Sequence, residues 1–534
     1  MREDSQVTMT LAIANHPCDL LVIGVSGRDR LNAPYCFDID LVSRDATLDG
    51  PALLLRDAWL QIGVEMTPMH GLHGQIQGVD RLYRGSALSL YRLRLMPALQ
   101  RLDGPPRRRA FNGKSVPQIL TRLLHSHGMA GDAVRFDHLL GLYPPRQHCL
   151  QYNESDLHFL RRLCEEEGIS FRFEHHLQRH VLVFSDDPLG FPEWLTPAGV
   201  DHLAEQLSVR TCYSSHAGEH YSPPTFAPRP RTHDADNQAF GTALATDAAV
   251  VQRQQLSARQ LERQRCERRE IMGHSRLPWM RAGLVMRVEE HPDTFFNDQW
   301  LLTDVQHWAW QLAPLRGCES RDVIQMLQAM ASADDPGRGV ARLLRPRFGL
   351  DKPKLAGYEN SFRVLPWTMP FRPALEHLKP IVDTYEMATL VDEHADASGR
   401  LRIRYHWQAD APTSGADDSW ARVVSGLKKQ PCGSRVRIGF FEGDPDQPLI
   451  SGTLAAAPDT TGPPGTAADK PQREENPGAC VASGEGRQLR IDSDRPLTLR
   501  SSRGWLHITE QGIDYAPFAA VDEPDQRPLG PTDA

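Results

Sequence analysis

Three carboxylates stand within five residues of one another in the stretch GFFEGDPDQPLISG, at Glu442, Asp444 and Asp446. Carboxylates at this density can bind a divalent cation or act as a general acid and a general base. A calcium loop would end in a bidentate glutamate about eleven residues after its first ligand, whereas leucine, isoleucine and glycine follow here. Aspartate followed by proline, at 444–445, is typical of a β-turn. The stretch therefore favours a turn between two strands over a metal or acid–base site.

Histidines cluster in EHHLQRH, at His175, His176 and His180. Two histidines four residues apart can chelate zinc from one face of a helix, but here the spacing crosses the turn of a predicted hairpin, and no HExxH motif or cysteine accompanies it. His125 and His127 lie near the end of a predicted helix, where surface and capping roles are usual. We predict no catalytic, cofactor-binding or metal-binding residue, and no cofactor.

Other stretches match catalytic motifs only in part. GVSGR at 24–28 lacks the glycine spacing of a nucleophile elbow, and GPPGTAADK at 462–470 lacks the ending of a phosphate-binding loop, so both are predicted to be loops. Arg107–Arg109 is predicted to be a solvated loop, with contact to an acidic ring or cargo surface as the functional alternative. Glu165–Glu167 is predicted to end a helix on its solvent side, where neighbours diverge by roughly 100° and form no catalytic pair.

Length and composition narrow the class of protein. The 534 residues suffice for several cores, since one core rarely grows past about 250–300 residues. The net charge of −8 argues against a nucleic-acid binder, and nine scattered cysteines without a C-x-x-C pair indicate reduced thiols. The N-terminus carries acidic residues where a signal peptide would be basic, and no window approaches the roughly 20 apolar residues of a membrane span. We therefore expect a chain that is made and folded in the cytoplasm.

Alternating apolar runs predict strands in the first hundred residues. Helical spacing predicts a helix in SVPQILTRLLHSHGM and a second in NESDLHFLRRLCEEEG, capped by Asn153 or Ser155 and ended at Gly168. A half-buried strand that contains Phe171 and a hairpin follow it. A polar helix, either solvated or covering an interface, is predicted over about 247–271, and strands follow in GLVMRVEEHP and QWLLTDVQHWAW.

The C-terminal third contains two further patterns. Prolines over 366–380 predict an extended connector and a domain boundary, and five short strands over about 381–457 predict a small barrel of the OB type. Residues 458–486 are predicted to be a flexible linker. Paired apolar positions then recur every seven to nine residues, which predicts stacked rungs that need partner subunits. These pairs are Leu489/Ile491, Leu497/Leu499, Leu506/Ile508 and Ile513/Tyr515.

Several stretches, in their order along the chain, resemble the VgrG spike proteins of bacterial type VI secretion systems, which are relatives of the phage tail hub and tail spike. The resemblance implies a mainly β fold: an α+β hub with paired β-barrels and helices, an OB-type barrel, and a short C-terminal β-helix or prism stub. It implies a phage tail hub-like domain at 1–380, an OB-fold neck at 381–457, a linker at 458–486 and a short β-helix-like tail at 487–534. The stretches are RLYRGSALSLYRLRLMPALQRL, FNGKSVPQILTRLL, LQYNESDLHFLRRLCEEEGISFRFEH, NDQWLLTDVQHWAW, GYENSFRVLPWTMPFRP, GRLRIRYHW, SWARVV and GFFEGDPDQPLISG.

The resemblance also implies a non-enzymatic homotrimer that caps the hexameric Hcp tube, punctures target envelopes, contacts baseplate components and carries a PAAR-type tip protein or effector cargo at its C-terminus. Such a spike binds no nucleic acid and leaves the cell through the type VI apparatus without a signal peptide. Two alternatives are the hub of a phage-derived contractile particle and an envelope hydrolase, which would need an inserted catalytic domain. The chain departs from the family in SGLKKQPCGS, which is short and basic, and in its short needle.

Overall fold

Strands dominate the computed structural model, and the chain forms two compact units, Met1–Ala456 and Ala457–Ala534. None of the described helices combines the length and the apolar character that a membrane span requires. The six described cysteines form no disulfide with one another. The described residues are 8–16, 20–44, 49–63, 71–85, 88–194, 202–207, 247–289, 291–333, 356–408, 418–424, 430–453, 481–485, 488–492, 497–501, 504–509 and 512–517.

The strands of the first unit that precede residue 380 build one large sheet and two smaller ones. They are β1 (Thr8–Ile13), β2 (Leu21–Arg30), β3 (Cys36–Ser43), β4 (Asp57–Gly63), β5 (Gly71–Arg84), β6 (Ser89–Met96), β7 (Arg107–Ala110), β8 (Val134–Phe136), β9 (Leu150–Glu154), β10 (Ser170–His176), β11 (Arg179–Ser185), β12 (His202–Leu207), β13 (Arg269–Ser275), β14 (Val285–Arg287), β15 (Gln299–Gln311) and β16 (Ala356–Pro366). The large sheet has 11 antiparallel strands in the order β1-β4-β5-β6-β3-β2-β15-β16-β13-β12, with β14 paired to β15. The smaller sheets are β10-β11-β8 and β7-β9.

Among the residues that the structure describes, helices are few, and those described lie in the first unit. The α-helices are α1 (Gly50–Leu53), α2 (Val116–Ser126), α3 (Asp156–Glu167), α4 (Asp247–Arg268) and α5 (Ser320–Ala333). The 3-10 helices are Ala98–Leu102, Gly131–Ala133, Pro188–Gly190, Thr294–Phe296, Ala313–Leu315, His406–Gln408 and Phe441–Gly443. The predicted mainly β fold class is therefore confirmed.

The local signals for α3 act as predicted. The Ser155 side chain accepts a hydrogen bond from the His158 backbone N–H at 3.1 Å, which satisfies one of the donors left open in the first turn. Gly168 adopts a φ of 70°, the left-handed conformation that suits glycine at a helix end. The apolar face with Leu157 and Leu160 is buried in the main core.

The hairpin β10–β11 carries aromatic residues into that core. Phe171 is 1% exposed, and its ring lies 5.7 Å from that of Phe184, so the predicted core position is confirmed. The prediction of a half-buried strand is wrong, because Arg172 on the other face is also buried. Its guanidinium pairs with Glu174 at 2.8 Å and donates to the Gly190 carbonyl at 3.2 Å.

Five strands near the end of the first unit form a closed barrel in the order β17-β18-β19-β21-β20. Each overlaps a predicted strand, and the alternation of apolar residues fills the interior. They are β17 (Glu386–Leu390), β18 (Arg400–Tyr405), β19 (Ser419–Val423), β20 (Arg435–Phe440) and β21 (Pro448–Thr453).

The described residues of the second unit form antiparallel strands, namely β22 (Val481–Glu485), β23 (Gln488–Asp492), β24 (Leu497–Ser501), β25 (Gly504–Thr509) and β26 (Gly512–Pro517). β22 pairs with β23, and β24, β25 and β26 form a three-stranded sheet. The register places Leu497 opposite Ile508, and Leu499 opposite Leu506, so predicted apolar positions face one another across strands. Of the linker predicted over 458–486, residues 458–480 and 486 lie outside the described residues, and residues 481–485 form strand β22.

Two predicted loops are strands instead. GVSGR at 24–28 lies inside β2, where a Cβ at Gly27 would clash with the Phe37 ring. The absence of a side chain at Gly27 leaves room for this aromatic ring. Because the residues belong to a strand, the prediction of a loop is wrong. Arg107–Arg109 belongs to β7 and pairs with β9, so the prediction of a solvated loop is also wrong. The segment GPPGTAADK lies outside the described residues.

The predicted helix and connector differ from the structure in detail. The polar helix ends at Arg268, and the residues up to Ile271 already belong to β13. It covers its neighbours with polar residues, since Arg259 and Arg263 are buried. The connector over 366–380 is largely irregular, as predicted, yet Arg372 within it is buried.

Candidate functional site

The acidic stretch builds the corner between β20 and β21. The Asp446 backbone N–H donates to Asp444 Oδ1 at 2.9 Å, and the Gln447 backbone N–H donates to the Asp444 carbonyl at 3.0 Å. The Phe441 N–H closes the turn on the Gln447 carbonyl at 3.0 Å. The predicted turn is therefore confirmed.

The same acids contact the part of the chain that precedes the barrel, which the sequence did not indicate. Lys379 Nζ lies 2.7 Å from Asp446 Oδ2 and 3.3 Å from Asp444 Oδ1. The Leu150 backbone N–H donates to Asp446 Oδ1 at 2.6 Å. Burial lowers the pKa of Lys379, but attraction to Asp446, Glu166 and Asp444 outweighs it and raises the pKa. The ammonium thus stays charged and holds the corner.

Further polar contacts surround this one. Asn112 Nδ2 donates to the Asp418 carbonyl at 2.8 Å, and Arg108 Nη1 lies 3.0 Å from Glu386 Oε1. Between these bonds, apolar side chains of β7, β9, the connector and the barrel pack together. We call this contact region the junction: Arg108, Asn112, Leu150, Tyr152 and Lys379 on one side, and Glu386, Asp418, Asp444 and Asp446 on the other.

Helix α3 supports the junction through buried ion pairs. Arg162 is fully buried and lies 2.8 Å from both Glu154 and Glu166. Arg146 lies 2.9 Å from Glu166 and 2.7 Å from Glu167. Burial raises the pKa of Glu166, but Arg146 and Arg162 outweigh it and lower the pKa to about 2. A carboxylate held ionised in this way serves as an anchor for arginines.

The predicted solvent-side position of Glu165–Glu167 is wrong. Glu165 and Glu167 are 1% and 3% exposed, because partners distant in the sequence cover the end of the helix. The guanidinium of Arg259 donates to the Glu167 carbonyl, and that of Arg263 to the Glu165 carbonyl. Cations at the C-terminal end of a helix are stabilised by its dipole.

Among the described residues, one group of three has the spacing of metal ligands: Glu165, Glu376 and His377. Its oxygens already have partners. Glu165 Oε1 lies 2.7 Å from His377 Nδ1, and Glu165 Oε2 accepts the backbone N–H groups of Glu376 at 2.8 Å and of His377 at 2.7 Å. Glu376 pairs with Arg30 and with Arg161. These hydrogen bonds to Glu165 attach the connector to the C-terminal end of α3.

The structure brings His175 and His180 together across the β10–β11 hairpin and leaves His176 exposed. His73 Nδ1 lies 3.0 Å from His180 Nδ1, and the Ala98 backbone N–H donates to His180 Nε2 at 3.0 Å. Burial, followed by the neighbouring His73, lowers the pKa of His180 to about 4. The rings thus act as neutral packing and hydrogen-bonding groups.

The remaining predicted positions have structural roles. His125 is exposed on α2, and His127 caps that helix and lies 2.7 Å from Asp156. In β7, Arg109 pairs with Asp156. Sequence reasoning missed charged residues, Lys379 above all, that have no charged pattern around them in the sequence. Their partners lie far away along the chain. The i, i+4 pairs Arg162–Glu166 and Glu154–His158 are local signals of the network.

Comparison with known proteins places these features in context. A family model for the phage tail baseplate hub (GPD) matches residues 28–313. The spike protein VgrG4b of the Pseudomonas aeruginosa type VI secretion system is 34% identical over 84% of this chain and 56% of its own length. VgrG5 of the same organism is 32% identical over 84% of this chain and 58% of its own length. The chain thus spans a little over half the length of these curated relatives.

A solved structure shares the fold. It is that of the E. coli c3393 protein, described as a component of the type VI secretion system with structural similarity to the T4 bacteriophage tail proteins gp27 and gp5. The TM-score is 0.61 at 24% identity, and the match covers 83% of this chain and 100% of that chain. The chain therefore shares the fold of this protein over the matched part.

Proposed function

The chain belongs to the phage tail baseplate hub (GPD) family, and from this premise we propose that it is the structural spike of a type VI secretion apparatus. The observation that carries the proposal is the 34% identity to a type VI secretion spike protein over 84% of this chain. That match confirms the resemblance to VgrG proteins indicated by the ordered stretches.

In the proposed assembly, three copies form a spike whose hub, 1–380, caps the hexameric Hcp tube and contacts baseplate components. The barrel at 381–457 is the neck, and the tail at 487–534 carries a PAAR-type tip protein or an effector. The two-stranded sheet β22–β23 would be marginal on its own, which supports partner subunits around the tail. Sheath contraction then drives the spike out of the cell and through the target envelope.

We propose that the protein acts mechanically and catalyses no reaction. The acids that invite a catalytic interpretation already form hydrogen bonds and ion pairs with cations of the fold: Asp444 and Asp446 with Lys379, and Glu166 with Arg146 and Arg162. Groups committed in this way fix one part of the fold to another. The junction therefore supports a load-bearing role.

Light scattering on the purified chain tests the assembly, since a trimer has three times the monomer mass of 59.9 kDa. Electron microscopy with and without purified Hcp should show the trimer seated on one end of the ring. A monomer at micromolar concentration, or clearing of peptidoglycan in a zymogram, would contradict the proposal. A trimer that binds a phage tail tube protein and leaves Hcp unbound would instead identify the hub of a phage-derived particle, which the family description also fits.

A further inference from the structure

The connector that leads into the barrel exposes a row of large apolar side chains. Within 13 residues, from Leu375 to Met387, five of them face solvent in the single chain. We call this row the apolar strip. Its exposed fractions are Leu375 49%, Leu378 72%, Ile381 82%, Tyr385 60% and Met387 36%.

The size of the strip sets it apart from scattered surface residues. The five exposed fractions add up to about three whole large side chains, which corresponds to roughly 500 Å² at the lower end of the 150–250 Å² that an aromatic side chain buries. Monomeric proteins rarely expose an apolar patch of more than a few hundred Å². A standard interface buries about 800 Å² on each partner, so the strip could supply most of one such face.

The backbone of the strip is held in place. Glu165 accepts the N–H groups of Glu376 and His377 at 2.8 and 2.7 Å, and Lys379 is bound by the corner acids. Further along, the Val382 N–H donates to the Gly443 carbonyl at 2.8 Å. The strip therefore presents its side chains from a fixed backbone, and such preorganisation lowers the entropic cost of association.

We propose that the apolar strip is buried against a second copy of this chain in the spike trimer, an inference that rests on the proposed function. The exposed area favours a permanent interface, because obligate homo-oligomers bury large apolar faces. In a ring of three copies each interface joins two different surfaces. Each copy therefore inserts its strip against one neighbour and receives the strip of the other neighbour elsewhere.

Two cysteine variants test burial in the assembled protein. Leu378 and Leu140 are equally exposed in the single chain, at 72% and 70%, so Leu378→Cys and Leu140→Cys form a matched pair. Each is alkylated with iodoacetamide in the purified full-length trimer, and peptide mass spectrometry reads the modified position separately from the native thiols. We expect alkylation of Leu378→Cys to be at least tenfold slower than that of Leu140→Cys. Equal rates in a trimer of correct mass would overturn the inference and leave the trimer standing.

A charge variant tests the energetic role of the strip. Leu378→Asp combined with Ile381→Asp should shift the mass at micromolar concentration from trimer towards monomer, with an unchanged far-ultraviolet circular dichroism spectrum. The control, Leu140→Asp combined with Leu189→Asp, should stay trimeric, although Leu189 is 64% exposed. A strip variant that remains fully trimeric, or a control that dissociates equally, would overturn the inference. A monomeric wild-type chain would overturn the proposed function and this inference with it.

Discussion

Replacement of Asp446 tests whether the corner between β20 and β21 fixes the barrel to the preceding part of the chain. In Asp446→Ala, the acceptor for the Leu150 N–H is lost, and Lys379 Nζ keeps only the longer contact with Asp444. In Asp446→Asn, an oxygen is kept for the Leu150 N–H, and the negative charge of Asp446 beside Lys379 is removed. Asp383→Asn is the matched control, since Asp383 is an exposed carboxylate between the connector and β17.

The structure sets the expected size of each effect. The Asp446 side chain is 13% exposed and that of Lys379 is 30% exposed, so solvent reduces the ion pair to about 1 kcal/mol. The hydrogen bond from Leu150 to the charged oxygen contributes about 2 kcal/mol. We therefore expect Asp446→Ala to weaken the junction by about 3 kcal/mol and Asp446→Asn by about 1 kcal/mol. A free-energy difference of 1.4 kcal/mol changes an equilibrium constant about tenfold. The equilibrium constant for opening of the junction therefore rises roughly 100-fold in Asp446→Ala and roughly fivefold in Asp446→Asn.

Hydrogen exchange at the Leu150 amide measures that equilibrium, because this amide is the donor to Asp446. Where closing is faster than exchange, the exchange rate scales with the population of the open state. The expected order of rates is wild type equal to Asp383→Asn, then Asp446→Asn, then Asp446→Ala. An unchanged rate in Asp446→Ala would refute the assignment of the junction. A rate in Asp446→Asn as high as in Asp446→Ala would refute the division between charge and hydrogen bond.

Two further predictions concern the core and its histidines. Phe171→Ala should destabilise the hub by about 3–5 kcal/mol, because the ring is 1% exposed and packs against Phe184; an unchanged melting temperature would contradict this placement. The pKa of His180 falls from 6.5 to about 4 on folding, so the fold disfavours the protonated ring. The neutral His180 ring makes its full contribution to the free energy of unfolding above pH 6.5. As the pH falls towards 4, that free energy decreases by about 3 kcal/mol, because the unfolded chain binds the proton more readily. Melting temperatures from pH 7 to pH 4 should therefore decline less steeply in His180→Gln than in the wild type, and parallel curves would show that His180 does not titrate in this range.

Local signals allowed much of the fold to be predicted from the sequence. Ser155 and Gly168 mark the ends of α3 by themselves, since a cap needs only its own turn. The prediction of a loop around Gly27 was wrong because a glycine within a polar stretch also fits a loop. The actual role of Gly27 is to leave room for Phe37 of the neighbouring strand, which the local sequence does not show. Asp444 and Asp446 were correctly assigned to a turn. The local sequence could not show that they also form ion pairs with Lys379.

Charged residues account for most of the wrong predictions, for one physical reason. A run such as Glu165–Glu167 is normally solvated, and its burial requires cations that arrive from elsewhere in the chain. Here Arg146 precedes the run, while Arg259 and Arg263 follow it by about ninety residues or more. No local pattern contains that information, so the sequence yields the elements and misses the electrostatic contacts that join them.

The location of these contacts bears on how a spike would withstand sudden load. Resistance to forced unfolding depends on the rate of unfolding rather than on the equilibrium stability. An interaction that forms late in folding mainly slows unfolding. We expect the pair Lys379–Asp446 to form late, because it joins two segments of the chain that come together only after each has folded. One helix, α3, anchors the connector through Glu165 and faces the corner through Glu166. We therefore expect Asp446→Ala to accelerate unfolding in stopped-flow denaturant jumps while leaving the refolding rate close to that of the wild type. A variant that slowed refolding and left unfolding unchanged would place the junction early in folding and remove this argument for a load-bearing role.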